Sequence, residues 1–256
     1  MLNYVEYGKE NSDVIILLHG GGLSWWNYKE VAERLQTDYH VVLPILDGHA
    51  GCDKQFTTIE NNALDIIEFV NSKLGGSVLM MGGLSLGGQI LLEILSQRKD
   101  ICKYAIVESV LVIPSKFTYS MIKPAFGSCY GLIKYKWFSK LQFKSLRIKS
   151  NLFDEYYKDT CAIRKSDMIA FLQENSVYSL KDGIGECEAT VQIYVGEKEK
   201  QSMKKSAKII IIIFFYGDMQ PINLFFDMYT VYNKLIKGNV HGRYFSREIH
   251  TKKTDK

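Results

Sequence analysis

Ser85 is a polar residue in an otherwise apolar run, where it lies between glycines in the sequence Gly83-Leu84-Ser85-Leu86-Gly87. A hydroxyl contributes little to an apolar core, so its presence there calls for a chemical explanation. A serine that is held in a tight turn, next to a base, can act as a nucleophile. The first question is therefore whether the surrounding elements would present Ser85 in this way.

The elements on either side of Ser85 favour that role. The stretch "SVLMMGG" predicts a buried strand and "GGQILLEILSQR" predicts a helix, so Ser85 falls on a strand-to-helix turn. This is the setting of the G-x-S-x-G nucleophile elbow, in which side chains at the glycine positions would clash with neighbouring backbone. A helix N-terminus also favours developing negative charge, so the N–H of Leu86 is a candidate oxyanion donor. The alternative is that the glycines only allow a strand and a helix to pack closely.

A second glycine-rich stretch, "HGGG" from His19 to Gly22, follows a strand predicted for residues 14–18. Backbone amides in such a loop can approach a substrate carbonyl oxygen closely. We expect the N–H of Gly21 to be the second oxyanion donor and Gly22 to shape the loop. His19 lies on the oxyanion side, which favours a structural role over that of a base. A glycine-rich turn without a catalytic role is the other interpretation.

Strands and helices alternate along the first half of the chain. Besides the elements named above, the pattern predicts a helix in "NYKEVAERL", a strand ending at Pro44, a helix between a Thr57–Glu60 capping box and Gly75, and a strand over 104–112. Alternation of this kind predicts an α/β fold with a doubly wound, mostly parallel sheet.

The alternation stops between residues 114 and 185, where aromatic residues and lysines recur at helical spacing. We interpret 114–185 as a helical cap insertion above the sheet. Residues 1–113 and 186–250 would form the core, which resumes with a strand over 189–196. The last residues, 251–256, predict a disordered tail.

Composition narrows the functional classes. The chain has 256 residues, 46% of them hydrophobic, and its net charge of +4 is too small to argue for a nucleic-acid partner. Its five cysteines form no CxxC pair, which favours reduced thiols in a cytoplasmic protein over disulfides or a zinc site. No signal peptide is visible, and the apolar run 209–216 is too short to cross a bilayer. We therefore expect a soluble protein with no metal, cofactor or membrane partner; the oligomeric state stays open.

Three stretches together, "VIILLHGGGLSWW", "LPILDGHAG" and "MMGGLSLGGQILLEIL", resemble the α/β-hydrolase superfamily, in particular small serine hydrolases with a helical cap. The resemblance covers most of residues 13–112 and resumes at "VQIYVG". It implies the α/β-hydrolase fold and a catalytic triad in the chain order serine, acid, histidine. The stretch "LDGHAGCD" departs from the family's more usual arginine-containing loop.

The resemblance also implies where the other two members of the triad lie. The acid is expected just after "VQIYVG", where Glu199 occupies the usual position in "GEKE"; Glu197 and Glu108 are the alternatives. The base is expected after a final strand, and "KLIKGNVHG" places His241 there. His250, near the charged tail, is the other downstream histidine.

The C-terminal region departs from the family pattern. The run from Ile209 to Tyr216 is β-rich and aggregation-prone in composition, and residues 209–233 show no clear helical face. They represent either an insertion or a reading-frame alteration, and we expect them to pack poorly and to add no catalytic group.

The sequence therefore predicts a serine hydrolase that cleaves an ester, thioester or related acyl bond of a small, apolar substrate through Ser85, His241 and Glu199. Gly22, which shapes the oxyanion loop, and Trp25 and Trp26, which follow it, are candidates for the substrate pocket. The alternatives are acyl transfer or cofactor-free lyase chemistry on the same triad, or a binding protein on a hydrolase scaffold. The lysines of the cap predict a solvated basic face on the insertion. A patch that binds an acidic substrate or a membrane surface is the less favoured interpretation. These lysines are Lys134, Lys136, Lys140, Lys144 and Lys149.

Overall fold

A six-stranded sheet organises the chain in the computed structural model, which describes residues 2–146 and 148–216. In chain order the strands are β1 (Asn3–Tyr7), β2 (Val14–Leu18), β3 (His40–Ile45), β4 (Val78–Leu84), β5 (Cys102–Glu108) and β6 (Thr190–Tyr194). Their order across the sheet is β1-β3-β2-β4-β5-β6. Only the β1–β3 pairing is antiparallel among these strands, and the other four pairings are parallel. The predicted doubly wound, mostly parallel sheet is confirmed; β1 was not anticipated.

The helices lie on both faces of the sheet, and alternate residues of the strands explain why. Ile16 and Leu18 of β2 pack into one core cluster with α2 (Ile59–Lys73) and α3 (Leu86–Gln97). Ile15 and Leu17 pack on the opposite face against α1 (Lys29–Leu35). A strand buried on both faces must be apolar throughout, which is the reason for the unbroken run "VIILL".

The cap of α2 differs by one residue from the prediction. The hydroxyl of Thr58, not Thr57, accepts the hydrogen bond from the Asn61 N–H that caps the helix. At the other end the N–H of Gly76 donates to the carbonyl of Val70 at 3.0 Å, and Gly75 and Gly76 both adopt positive φ angles. The predicted stop at Gly75 therefore holds, because only glycine enters this conformation without strain.

Strand β5 ends at Glu108 rather than continuing to residue 112. Ser109 adopts a φ of 49°, and its N–H donates to the carbonyl of Tyr194 at 2.8 Å. The chain turns away from the sheet there, while Val110 and Val112 pack into the core beside α3. Their burial outside a strand explains why the apolar pattern overestimated the length of β5.

Four helices lie between β5 and β6, within the stretch expected to be a helical insertion. They are α4 (Lys116–Cys129), α5 (Lys136–Leu146), α6 (Phe153–Ala162) and α7 (Lys165–Val177). The N–H of Ser115 donates to the carbonyl of Ser176 at 2.8 Å, so the first and last of these helices meet where they leave the core. We call residues 114–185 the insertion from here on.

The interpretation of residues 209–216 as a β-rich run is wrong, because they complete α8 (Gln201–Tyr216). Ile210 and Phe214, four residues apart, are buried in the same core cluster as α2 and α3, whereas Ile212 is exposed. Tertiary packing of one helical face has overridden the low helix propensity of isoleucine. The described part of this segment therefore packs on the core instead of packing poorly. The remaining residues up to 233, and the strand and tail predicted beyond them, lie outside the described residues.

The five cysteines all lie in the described part of the chain and all are free thiols. No helix among the described residues is long and apolar enough to span a bilayer. The same residues contain no cluster of three or more His, Cys, Asp or Glu side chains arranged to hold a metal ion.

Candidate active site

Ser85 lies directly between β4 and α3, at the carboxyl edge of the parallel strands. Its backbone has φ 51° and ψ −111°, a positive-φ conformation outside the left-handed helical region that residues other than glycine rarely adopt. The N–H of Ser85 donates to the carbonyl of Glu108 at 2.8 Å, which fixes the turn to the end of β5. The side chain is half-buried, so its hydroxyl remains accessible. Strain held in place by neighbouring contacts is a common feature of functional sites.

The glycines of the elbow are required by contacts with backbone atoms. A Cβ on Gly87 would lie 2.2 Å from the carbonyl oxygen of Leu18, and one on Gly83 would lie 2.4 Å from that of Gly87. These distances are far shorter than any real contact of a Cβ atom. The close approach of β2, β4 and α3 is therefore possible only with glycine at both outer positions, as the motif predicted.

The loop predicted to supply an oxyanion donor, residues 20–22 (called the oxyanion loop after this prediction), follows β2 and lies against the start of α3. A Cβ on Gly21 would lie 3.5 Å from the side chain of Leu86 and 3.3 Å from the ring of Phe171 in α7. Within the described part of the chain, the N–H groups of Gly21 and Leu86 donate to no protein acceptor. These two unpaired donors, one in the loop and one at the start of α3, meet one requirement of an oxyanion hole.

The N–H of Gly22 is not available for the same purpose, because it donates to Nε2 of His49 at 3.0 Å. Nδ1 of His49 lies 3.0 Å from the carbonyl of Asp47, so this nitrogen carries the proton. The imidazole also stacks on Phe171, with ring centroids 4.6 Å apart. His49 therefore joins the oxyanion loop to the insertion. This role of His49 was not predicted from the sequence, although the unusual "DGH" in the loop after β3 was a signal.

His19 is likewise held in a structural position. Its Nδ1 lies 2.9 Å from the carbonyl of Gly20, and its Nε2 accepts from the N–H of Leu46. Burial is the main cause that lowers the pKa of His19 to about 3 and that of His49 to about 4, so both rings are neutral at pH 7. With both nitrogens engaged, neither ring can accept the proton of Ser85.

The third histidine in the described residues, His40, lies at the opposite edge of the sheet, where it opens β3 and contacts Glu6. The base expected from the family order, His241, and its alternative His250 both lie outside the described residues.

Of the three acid candidates, Glu108 contacts the elbow directly through its carbonyl, whereas Glu199 is linked to it through Ser109. The Oγ of Ser109 donates to Oε1 of Glu199 at 3.5 Å, and Ser109 directly follows Glu108. The backbone of Glu199 closes a turn through a 3.0 Å hydrogen bond to Gly196. Its side chain is half-buried, whereas Glu197 is exposed to solvent. Glu108 is paired in register with Leu84 on one side and Tyr194 on the other.

Trp25 and Trp26, the candidates for the substrate pocket, differ in their surroundings. The Nε1–H of Trp26 donates to Oδ2 of Asp159 in α6 at 2.7 Å, and the ring is buried among side chains of the insertion. Trp26 thus joins the core to the insertion. Trp25 is half-buried and, with Leu84 of the elbow, borders the same apolar cluster.

A separate cavity of about 170 Å³ lies inside the insertion and contains none of the candidate residues. It is lined by Ala125, Phe126, Cys129, Ile133, Phe138 and Gln142.

Comparison with known proteins agrees with this fold. A family model described as "Alpha/beta hydrolase family" matches residues 15–179. No protein of curated function matches the sequence. Among solved structures, an esterase from Exiguobacterium antarcticum superposes with a TM-score of 0.70 at 15% identity, over 91% of this chain and 92% of its own.

Two further solved structures are similar at comparable levels. The enol-lactonase from Burkholderia xenovorans has a TM-score of 0.68 at 13% identity, with 83% of this chain and 84% of that protein covered. A thermophilic esterase from Thermogutta terrifontis has a TM-score of 0.66 at 15% identity, with 83% and 80% covered. At such identities the likeness concerns the fold, whereas the family match extends over more than half of the sequence. The chain belongs to the alpha/beta hydrolase family.

Proposed function

We propose that this protein is a serine hydrolase that cleaves an ester, thioester or related acyl bond of a small, apolar substrate. The observation that carries the proposal is the conformation of Ser85: a strained serine at the N-terminus of α3, next to the free N–H groups of Gly21 and Leu86. The esterases and the lactonase with a similar fold give the reaction class a precedent.

In this mechanism the Oγ of Ser85 attacks the acyl carbon while its proton passes to His241. The N–H groups of Gly21 and Leu86 donate to the oxyanion that develops on the carbonyl oxygen. The bond to the leaving oxygen or sulfur then breaks as His241 returns the proton to it. Water attacks the acyl-enzyme with the same histidine as base, which releases the acid and restores Ser85.

Glu199 acts in this scheme as the residue that orients His241 and stabilises its charged form. Two contacts support this choice: Glu199 lies beside Ser109, and Ser109 follows the residue whose carbonyl receives the Ser85 N–H. The strands that precede Ser85 and Glu199 are separated by β5, so their ends lie about 10 Å apart, two interstrand spacings. An imidazole with a hydrogen bond on each side can bridge a gap of this size.

The apolar character of the substrate rests on Trp25 and Leu84, which border the apolar cluster beside the elbow. Gly22 shapes the oxyanion loop through the hydrogen bond that its N–H donates to His49. Trp26 contributes to the substrate pocket indirectly, because its hydrogen bond to Asp159 positions the insertion.

The test combines covalent labelling with turnover. A fluorophosphonate should modify Ser85 in the full-length protein, and the label should be absent from Ser85→Ala. A panel of p-nitrophenyl esters should be hydrolysed by the wild type and by His250→Ala, but not by His241→Ala. Labelling that persists in Ser85→Ala would overturn the assignment of the nucleophile. Labelling without turnover of any ester or thioester would favour a binding protein on this scaffold.

A further inference from the structure

The positive charge of the chain is concentrated in one part of the insertion. Residues 109–153 contain eight Lys or Arg residues and no Asp or Glu, whereas the whole chain contains 32 and 28. This stretch therefore carries a formal charge of +8 and the remainder of the chain −4. The small net charge of the protein conceals a strongly polarised distribution.

The same part of the insertion exposes large apolar side chains. Seven of the eleven large hydrophobic residues that are exposed in the described part of the chain lie within residues 117–146. The most informative are Trp137 and Leu141 in α5, which are 64% and 63% exposed. Exposed apolar side chains concentrated in one segment favour an interaction site there, because isolated exposed residues would be scattered over the whole protein.

The basic and apolar residues form adjacent rows on the exposed face of α5. Lys136, Lys140 and Lys144 follow one another at intervals of four residues, so they lie in one row along the helix. Trp137 and Leu141 form the next row in the same way, while Ser139 and Phe143 face the interior. We call these five exposed residues the α5 face.

The lysines of the α5 face have no carboxylate partner among the described residues. Lys136 and Lys140 instead lie over the rings of Tyr157 and Phe153, with Nζ 5.6 Å from each centroid. Lys149, by contrast, is paired with Glu30 of α1 and does not belong to this free basic surface. Among the described residues, no carboxylate thus lies within ion-pair distance of the three lysines of the α5 face.

We propose that the α5 face is a docking surface for an anionic lipid bilayer, with Trp137 and Leu141 entering the interface and the lysines contacting acidic headgroups. Trp is favoured at the boundary between apolar and aqueous phases, and lysine can extend its ammonium group from an apolar surface into the headgroup layer. This association is peripheral and goes beyond the proposed hydrolase activity, on which it does not depend.

Charge also decides between the other possible occupants. The residues beyond 216 hold seven Lys or Arg and four Asp or Glu, so they repel a basic surface rather than neutralise it. A nucleic acid would satisfy the lysines, but an aliphatic side chain such as Leu141 gains nothing from stacking on bases. A bilayer with acidic headgroups satisfies both rows at once.

The experiment measures binding of the full-length protein to vesicles of phosphatidylcholine alone and of phosphatidylcholine with phosphatidylglycerol. We expect binding to the acidic vesicles only, weakened by salt, and a blue shift of tryptophan fluorescence that is lost in Trp137→Phe. Each lysine near an acidic surface contributes about fivefold to partitioning, so Lys136→Gln/Lys140→Gln/Lys144→Gln should weaken binding about 100-fold.

Two matched controls separate the α5 face from general charge and hydrophobicity. Lys73→Gln/Lys181→Gln/Lys205→Gln removes the same charge from exposed lysines elsewhere and should lower binding far less. Leu141→Ser should weaken binding, whereas Leu64→Ser, a change at an exposed leucine of α2, should not.

Three results would overturn the proposal. The first is no binding to acidic vesicles, or equal losses in the two triple variants. The second is binding of single-stranded RNA as tight as that of vesicles, without a fluorescence shift from Trp137, which would assign the face to nucleic acid. The third is a dimer in sedimentation that dissociates in Leu141→Ser, which would assign it to a second copy of the chain.

Discussion

Nε2 of His49 accepts the N–H of Gly22 at 3.0 Å while the same ring stacks on Phe171 of the insertion. A residue of the loop after β3 thereby fixes the loop that contains Gly21, the proposed oxyanion donor. His49→Phe keeps an aromatic ring against Phe171 but removes the acceptor. We expect kcat for ester hydrolysis to fall about 10- to 100-fold with little change in KM, because transition-state stabilisation is lost. His40→Phe, at the opposite edge of the sheet, is the control. An unchanged kcat in His49→Phe would show that the loop holds its position without this bond.

The two buried histidines should make stability fall in acid. Their pKa values are lowered by burial from 6.5, to about 3 for His19 and about 4 for His49, so the folded protein binds these protons more weakly than the unfolded chain. Their contribution is complete above pH 6.5 and is lost as the pH falls from there towards 4 and 3. In this window each histidine lowers the free energy of unfolding by up to about 1.4 kcal/mol per pH unit. Urea unfolding between pH 7 and pH 4.5 measures the slope, which should decrease in His49→Phe. A slope unaffected by that change would contradict the assignment.

Gly87→Ala tests the close packing below the elbow. Its Cβ would meet the carbonyl oxygens of Leu18 and His19 at 2.2 and 2.6 Å, and backbone atoms cannot move aside as a flexible side chain can. We expect a loss of about 3 kcal/mol or more in the free energy of unfolding, or no folded protein. Gly127→Ala in α4 is the matched control, because the added methyl meets nothing within 4 Å. It should stabilise the helix by about 0.5–1 kcal/mol. Similar effects at the two positions would argue against the packing described.

Glu199→Gln tests the choice of the acid. Loss of the carboxylate should lower kcat by up to about 10⁴-fold while leaving folding intact. Glu197→Gln, two residues away and exposed, should have almost no effect. Glu108→Gln provides the decisive comparison, since that residue ends the neighbouring strand. If the large loss occurs in Glu108→Gln instead, the acid belongs to β5.

Trp26→Phe tests the attachment of the insertion to the core. The change removes the hydrogen-bond donor to Oδ2 of Asp159. Burial raises the pKa of Asp159 above its usual value, and this hydrogen bond offsets part of the increase. A half-buried carboxylate that loses its donor should cost about 1–3 kcal/mol in the free energy of unfolding. Urea unfolding followed by far-ultraviolet circular dichroism gives this value. Trp137→Phe, at an exposed position, should leave it unchanged.

The parts of the fold that could be predicted from the sequence are those in which local pattern and tertiary environment agree. The run "VIILL" is apolar because β2 is buried on both faces, so its bounds and its parallel pairing followed directly. The elbow was predictable for the same reason: the glycines on both sides of Ser85 are demanded by backbone contacts that any such turn makes.

The misjudged elements are those in which burial arises from a distant partner. Val110 and Val112 resemble strand residues because they are buried beside α3, although the chain has already left the sheet at Ser109. The isoleucines of α8 resemble a strand by composition, yet Ile210 and Phe214 pack one helical face on the core. Composition reports burial, not the backbone conformation that brings it about.

The candidate site could be proposed from the sequence only where a motif carries its own geometry. Ser85 and the glycine loop are local motifs, whereas the role of His49 depends on contacts with Gly22 and Phe171, residues 27 and 122 positions away in the sequence. No periodicity or spacing encodes such contacts. They become apparent only when three separate segments are placed together.

The hydrogen bond between Ser115 and Ser176 has a consequence for how this protein could diversify. The chain enters and leaves its four-helix insertion at almost the same point. The two ends that the rest of the fold must connect are therefore as close together as the ends of a short surface turn. An insertion of a different length or sequence could start and finish at these two serines without altering the register of β5 and β6. Ser85 and the N–H groups of Gly21 and Leu86 lie outside the insertion and would stay unchanged in such an exchange.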